Sequence, residues 1–287
     1  MCQWSSSCYC SMAIGTFFIK NMLELKFKYM KVAIIGAGNM GGAIARGMAQ
    51  GSLIRPVDIT VSNPSEGKLR AIKEFNPQIK TTCNNQEAIN EADLIILAVK
   101  PWFIKEVIEG LTLQTEKQII ASVAAGIPFT EYEQWIGEKA TIFRIIPNTA
   151  ISQMQSMTLL ASHNASKEQE ALLANIFNEM GVAMLIDEKQ MGAATALTSC
   201  GIAYVLKYIQ AAMQAGVEMG IYPKDAARMV AQSVKGAAEL ILTNESHPSV
   251  EIDKVTTPGG LTIKGINELE HGGFTSAIIN AMKASLK

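Results

Sequence analysis

Histidine, cysteine and excess charge of either sign are scarce in this 287-residue chain. It contains three histidines and five cysteines, and its 25 basic and 26 acidic side chains give a formal net charge of −1. A balanced charge provides no electrostatic reason to expect binding to nucleic acid or to an anionic membrane surface. The sequence therefore favours a small-molecule partner, with no nucleic acid and no membrane.

The cysteines do not form a disulfide or metal-binding pattern. Three of them crowd the first ten residues, and Cys83 and Cys200 stand apart without a C-x-x-C spacing or a histidine neighbour. This usage is typical of a reducing compartment. We expect a cytoplasmic protein with no bound metal.

Long apolar runs are missing as well. The patch Met12–Ile19 is too short to span a bilayer, and it lacks the basic leader and small-residue cleavage site of a signal peptide. Since Met30 directly precedes the first apolar strand, we expect residues 1–29 to lie outside the fold and translation to start at Met30. A functional N-terminal anchor is the alternative.

A glycine-rich turn follows that first strand. The apolar run 31–35 leads into Gly36, Gly38 and Gly41 in the order G-x-G-x-x-G, and a helical run follows. In the dinucleotide-binding fingerprint, the first glycine allows the tight turn, the second lets a pyrophosphate approach, and the third lets helix and strand pack closely. The strand before and the helix after favour nucleotide binding over a chance glycine cluster.

The end of the second strand bears on the choice of cofactor. Sites that prefer NAD usually place a carboxylate there to bind the ribose 2′-hydroxyl, but this strand ends in Ser62 and Asn63. With no carboxylate to repel a 2′-phosphate, NADP(H) is the predicted cofactor, and use of NAD(H) stays open. Lys68 and Arg70 are placed either to contact the phosphate or simply to form a solvated helix face.

Apolar strands alternate with helical stretches as far as residue 188, and only helical spacing follows. This pattern predicts an α/β fold, with a Rossmann-type doubly wound sheet over 30–188 and an all-helical C-terminal domain over 189–287. Small apolar residues such as those of 211–219 allow close helix contact. We expect a homodimer through these helices. A self-contained core in this half is the alternative.

A second glycine turn lies in the helical half, at Thr257-Pro258-Gly259-Gly260, and is followed by Leu261 and Thr262. A helix that begins there exposes unpaired N–H groups and a positive dipole end, to which a small carboxylate or phosphate can bind. The Thr262 hydroxyl would stand beside that anion. An ordinary loop between two helices is the alternative.

Together these motifs resemble the delta-1-pyrroline-5-carboxylate reductase family. The resemblance runs from about Met30 to the end, through the glycine turn at 36–41, the segments 98–101 and 144–149, and the sequence 255–262 with its sequel 270–274. It implies reduction of the cyclic imine pyrroline-5-carboxylate to L-proline with NAD(P)H, the last step of proline biosynthesis, by dimers that assemble further in many members.

The resemblance also implies site residues. The cofactor contacts would be Ile35, Gly36, Ala37, Gly38, Asn39, Met40, Ser62, Asn63, Asn85, Ala98, Val99, Lys100, Pro101, Val123, Ala124 and Ala125. The substrate contacts would be Thr257, Gly260, Leu261 and Thr262. We further expect Thr262 to be the catalytic residue, with its hydroxyl hydrogen-bonded to the ring nitrogen.

One segment departs from the family pattern, and two other functions compete. Where the family usually has Ser-Gly-Ser-Gly-Pro-Ala-Tyr, residues 198–204 carry cysteine at 200 and isoleucine at 202. A hydroxyacid dehydrogenase of similar architecture would need a general base in a Gly-x-x-x-Lys-x-x-Asn signature, but Lys207 is misplaced for it and no asparagine follows. A non-catalytic NADP-binding scaffold is the other alternative.

Overall fold

The structure, a computed structural model, describes residues 30–286. The expectation for residues 1–29 concerns a segment outside this range. Within it, no helix is long and apolar enough to cross a membrane. The described residues form two compact units, divided between Ala194 and Thr195, six residues beyond the boundary predicted at 188.

The first unit is built on one eight-stranded sheet. Its strands are β1 (Val32–Ile35), β2 (Ile59–Ser62), β3 (Lys80–Thr82), β4 (Leu94–Leu97), β5 (Ile119–Ser122), β6 (Thr141–Ile146), β7 (Ser156–His163) and β8 (Gly181–Leu185). They lie in the order β3-β2-β1-β4-β5-β6-β7-β8, and β1 to β6 are parallel. The reversal of order at β1 places a crevice between the carboxyl ends of β1 and β4, where ligands of such sheets bind.

Helices cover both faces of this sheet, as the doubly wound prediction requires. They are α1 (Asn39–Gln50), α2 (Glu66–Phe75), α3 (Asn85–Ile89), α4 (Ile104–Glu109), α5 (Phe129–Ile136) and α6 (Lys167–Asn178). Side chains of β1 alternate between two buried clusters, with Val32 and Ile34 in one and Ala33 and Ile35 in the other. Both faces of the strand are therefore in the core, which explains its unbroken apolar run.

The seventh strand departs from the parallel pattern predicted for the sheet. β7 runs antiparallel to β6, with Ile145 opposite Leu160, and β8 returns parallel to β7. A single 3₁₀ turn at Thr149–Gln153 connects β6 to β7. Because a parallel crossover needs a dozen or more residues, so short a connection forces the chain to reverse direction. The two added strands extend the sheet beyond β6.

The second unit consists of helices. After α7 (Met191–Thr195), a π-helical turn at Ala196–Cys200 leads into α8 (Gly201–Glu218), α9 (Pro223–Asn244), α10 (Pro248–Val255), α11 (Leu261–His271) and α12 (Phe274–Ala284). Among the described residues from 195 onward, those that are buried are Ala196, Gly201, Gly216 and Ala226. These small side chains cannot form a hydrophobic core of their own.

Candidate dinucleotide and anion sites

The glycine turn between β1 and α1 has the geometry that close approach of a ligand requires. Gly36 adopts a φ of +107°, and a Cβ on Gly41 would lie 1.9 Å from the Gly36 carbonyl oxygen. Around Gly38, in contrast, no described atom beyond its two chain neighbours lies within 4 Å of the Cβ position. The first and third glycines are needed for the turn and its packing, and the second leaves open space for a phosphate.

The start of α1 is suited to bind an anion at that open space. Gly38 is the N-cap residue, its helix is 12 residues long, and the first turn carries no acidic side chain and no side-chain cap. The backbone N–H groups of such a first turn are unpaired and lie at the positive end of the helix dipole. A dinucleotide pyrophosphate therefore fits this turn.

Ser62 and Asn63, predicted to lie at the 2′ end of the cofactor, are joined at the end of β2 by Asn85, a predicted cofactor contact at the start of α3. The Ser62 hydroxyl donates to Asn85 Oδ1 at 2.7 Å, and Asn63 Oδ1 accepts the Ala37 N–H at 3.1 Å. Ser62 and Asn63 are both buried. The strand end is thus tied to the glycine turn, and this cluster includes no carboxylate. Lys68 and Arg70 are exposed on α2.

The remaining sheet residues of the predicted cofactor site follow β4 and β5. Ala98 donates its N–H to the Ile35 carbonyl at 2.8 Å, and its Cβ would lie 2.9 Å from a Cβ on Gly41. Val123 donates its N–H to the Leu97 carbonyl at 3.0 Å. The structure therefore brings the segments 98–101 and 123–125 to the same sheet edge as the glycine turn.

A buried polar cluster that sequence reasoning missed lies beside the segment 123–125. Tyr132 is fully buried, and its hydroxyl donates to Ser122 Oγ at 2.6 Å. Burial raises the pKa of Tyr132 to about 12, above the ordinary tyrosine value of about 10 at which the hydroxyl is already protonated at neutral pH. Glu188 Oε1 accepts both the Phe129 N–H at 2.8 Å and Arg144 Nη1 at 2.6 Å. Nothing in the sequence around Tyr132, in the short helix α5, indicates that its hydroxyl contacts Ser122.

The second predicted site is a turn and helix start in the helical unit. Gly260 donates its N–H to the Thr257 carbonyl at 2.9 Å, and Gly259 has a φ of +71°. With Pro258 before it, this is the pattern of a type II β-turn. A Cβ on Gly260 would lie 2.6 Å from Thr257 Oγ1, so glycine is also needed there for space.

Helix α11 begins directly after this turn, with Gly260 as its N-cap and Thr262 in its first turn. The first turn carries neither a side-chain cap nor an acidic residue. Within residues 30–286, the hydroxyls of Thr257 and Thr262 have no hydrogen-bond partner, and both residues are exposed. The arrangement offers backbone N–H groups and two free hydroxyls to a small anion.

Neither set of residues provides a metal centre or a conventional acid–base pair. In the part of the chain that the structure describes, no group of three or more histidine, cysteine, aspartate or glutamate side chains could hold a metal ion. The chemistry that these sites support is anion binding and orientation through hydrogen bonds.

Comparisons with known proteins agree with this geometry. Residues 188–287 match the family model for pyrroline-5-carboxylate reductase dimerisation, and residues 31–126 match that for NADP oxidoreductase, coenzyme F420-dependent. Pyrroline-5-carboxylate reductase 2 of Dictyostelium discoideum is 37% identical over 88% of this chain and 90% of its own length.

Two further relatives extend the comparison. Pyrroline-5-carboxylate reductase 1 of the same organism is 36% identical over 88% of this chain, which spans only 48% of that longer protein. The crystal structure of Plasmodium falciparum pyrroline carboxylate reductase with NADP bound has a TM-score of 0.82 and 27% identity, covering 90% of this chain and 96% of its own.

Proposed function

The chain belongs to the family of pyrroline-5-carboxylate reductases, which are NAD(P)H-dependent oxidoreductases, and we propose that it reduces 1-pyrroline-5-carboxylate to L-proline as the last step of proline biosynthesis. The observation that carries this proposal is the helix start at Gly260–Thr262, with its type II turn, open first turn and unpartnered hydroxyls. It is a site for a small carboxylate with a neighbouring polar atom.

The sheet unit would hold the cofactor at its carboxyl edge. The pyrophosphate fits the open space at Gly38, and Ser62, Asn63 and Asn85 would bind the 2′ end. The segments 98–101 and 123–125 would line the nicotinamide end. A bound nicotinamide supplies the hydride, so the protein needs no redox group of its own.

Preference for NADP(H) over NAD(H) follows from the chemistry at the end of β2. Ser62 and Asn63 are hydrogen-bonding side chains without charge, so nothing in this cluster repels a 2′-phosphate. The NAD-type carboxylate that would discriminate against the phosphate is not present at these positions. We expect a lower kcat/KM with NADH, because NADH has no 2′-phosphate to contact these side chains.

The helical unit would hold and orient the imine. The N–H groups at the start of α11, with Thr257, bind the substrate carboxylate, and the Thr262 hydroxyl hydrogen-bonds the ring nitrogen. A protonated imine is already electrophilic, so orientation of the substrate against the nicotinamide provides most of the rate enhancement. This explains an active site without a histidine, cysteine or carboxylate constellation.

The protein would act as a cytoplasmic homodimer formed through its C-terminal helices. The match of residues 188–287 to a dimerisation family and the exposed apolar side chains of these helices, among them Leu206, Leu242 and Leu261, support this assembly. Burial of such side chains is the main driving force for subunit association.

A direct assay tests the proposal. The purified protein should oxidise NADPH, followed by its absorbance, when pyrroline-5-carboxylate is added, and NADH should support a lower kcat/KM. A parallel reaction with the six-membered piperideine analogue measures how strictly ring size is selected. Binding of NADPH without oxidation in either reaction would instead favour a non-catalytic scaffold.

The same absorbance assay, run in the oxidative direction with hydroxyacids and NADP, distinguishes the proposed imine reductase from the dehydrogenase alternative. That chemistry needs a general base, and the residues proposed to bind the substrate, Thr257, Gly260, Leu261 and Thr262, include no histidine, lysine or carboxylate. We expect no reduction of NADP with hydroxyacids. Turnover with a hydroxyacid but not with the imine would reject the proposed function.

A further inference from the structure

The loop after β5 is held by a hydrogen-bonded chain that ends on a buried tyrosine. Ser122 is the last residue of the strand and is completely buried. Its Oγ accepts the Ala124 N–H at 3.2 Å and the Tyr132 hydroxyl at 2.6 Å. The middle residue of the loop 123–125 is thus tied, through one serine oxygen, to a side chain on α5.

The tyrosine is itself fixed in place. Its ring packs edge-on against Trp135, with ring centroids 5.6 Å apart. The first residue of its helix, Phe129, donates its N–H to Glu188, whose carboxylate also binds Arg144 on β6. Helix α5 is therefore anchored at its start, and Tyr132 is a rigid support for Ser122.

The hydroxyl of Tyr132 is not needed to fill space. A phenylalanine would occupy the same volume and keep the contact with Trp135, and a buried hydroxyl lowers stability unless it is hydrogen-bonded. The hydroxyl is protonated at neutral pH and donates to Ser122 Oγ. What the hydroxyl adds is control over the position of Ser122 Oγ and, through it, of the Ala124 N–H.

From this chain of contacts we infer that Tyr132 is a positioning residue for the nicotinamide end of the cofactor site, acting through Ser122 on the loop 123–125. The inference rests on the proposed function, in which that loop lines the nicotinamide end. Tyr132 touches neither cofactor nor substrate, so its removal should alter hydride transfer and leave binding of the adenosine half unchanged.

The test compares Tyr132→Phe with the wild-type enzyme. We expect kcat to fall about tenfold, which corresponds to the loss of one buried hydrogen bond. The affinity for 2′,5′-ADP should stay within about twofold of the wild-type value. The primary isotope effect with NADPH deuterated at the transferred position should rise, because a misplaced nicotinamide makes hydride transfer more rate-limiting. A merely structural role would lower the melting temperature and leave the isotope effect unchanged.

A double-mutant cycle checks that the effect passes through Ser122. Ser122→Ala should lower kcat at least as much as Tyr132→Phe, and the double variant should lose no more than Ser122→Ala alone. Tyr204→Phe is the matched control, because the Tyr204 hydroxyl also lies 2.6 Å from a serine oxygen, that of Ser285, within the helical unit. It should leave kcat and the isotope effect as in the wild type.

Failure of this inference can be told apart from failure of the proposed function. Suppose that the wild type turns over. An unchanged kcat and isotope effect in Tyr132→Phe would then overturn only the positioning role, and so would additive losses of kcat in the double variant. If the wild type lacks turnover, the fluorescence of bound NADPH still decides. It should differ between Tyr132→Phe and wild type when Tyr132 positions the nicotinamide, and an identical signal would reject that role.

Discussion

The presence or absence of one side-chain carbon affects the packing of this protein, and Gly41 is the clearest case. Its missing side chain leaves room for the Gly36 carbonyl and for Ala98, which lie 1.9 and 2.9 Å from the Cβ position. Gly67 on α2 has no described atom within 4 Å of the equivalent position. The same substitution should therefore have opposite effects at the two positions.

We expect Gly41→Ala to lower the free energy of unfolding by about 1–3 kcal/mol and to abolish tight NADPH binding, because β1 and α1 must separate. Gly67→Ala, the matched control, should raise it by up to about 1 kcal/mol, since alanine favours the helix. Urea denaturation and NADPH titration measure both. Equal stability of the two variants would contradict the packing argument.

Thr262 is the residue on which the proposed chemistry depends. Thr262→Ala should reduce kcat/KM for pyrroline-5-carboxylate by a factor of about 10–100, equal to about 1–3 kcal/mol of transition-state stabilisation, with NADPH affinity unchanged. Thr243→Ala, at an exposed position on α9, is the control and should behave as wild type. Undiminished turnover in Thr262→Ala would leave the backbone N–H groups as the whole substrate site.

Tyr132 also predicts a dependence of stability on alkaline pH. Its pKa is about 12 in the folded protein and about 10 in an unfolded chain, so the folded state holds the proton more tightly. The resulting stability is complete below pH 10 and is lost as the pH rises towards 12. The wild-type melting temperature should fall more steeply over this range than that of Tyr132→Phe, and identical slopes would contradict the burial of the hydroxyl.

Among the elements, α6 has the most complete start signal. Ser166 Oγ accepts the Gln169 N–H at 3.3 Å, and Gln169 Oε1 accepts the Ser166 N–H at 2.8 Å, which together form a capping box. Ser65 occupies the same N-cap position on α2 but makes no side-chain cap.

Replacing each serine by alanine should therefore show the difference between an N-cap residue that makes a side-chain hydrogen bond and one that does not. Ser166→Ala should reduce the free energy of unfolding by about 1 kcal/mol, and Ser65→Ala should have a much smaller effect. Thermal or urea melts of both variants provide the measurement. A larger loss in Ser65→Ala would show that the cap geometry of α6 does not contribute to stability.

Elements with a strong periodic signal could be predicted from the sequence, and short or tertiary features could not. The buried runs of β1, β4 and β6 carry the apolar strand pattern, and the long helices α8 and α9 carry the helical spacing, on which the α/β prediction depends. The six-residue α4 and the eight-residue α5 were not predicted, because so few turns show no clear periodicity. The reversal of chain direction at β7 was not predicted either. It follows from the short connection between β6 and β7, and the sequence gives no indication of the 3₁₀ turn in that connection.

Only the family resemblance pointed to Asn85. The glycine turn and the strand end at Ser62 and Asn63 could be anticipated from the residues themselves, because their spacing in the sequence reflects their geometry. The network of Tyr132, Ser122, Arg144 and Glu188 could not, since it joins residues from two strands, a helix and a later turn. Contacts of this kind depend on the assembled sheet, and the roles of the individual site residues stay predictions until the variants are measured.

For the whole molecule, the contrast between the two units predicts its behaviour on dilution. The sheet unit has two buried clusters, and the described part of the helical unit buries four small residues. A dimer that covers these helices should melt at a temperature that rises with protein concentration over about a hundredfold range. A concentration-independent melt, together with a monomer mass by light scattering, would reject the dimer.

The division into a well-buried first unit and an exposed second one also has a consequence for synthesis. The sheet unit leaves the ribosome first and contains the interior it needs to fold while translation continues. The helices emerge later, with Leu206 and Leu242 still facing water. Until the proposed dimer covers these helices, newly completed chains should be prone to aggregate through them, and chaperones that recognise apolar helices should bind the C-terminal half.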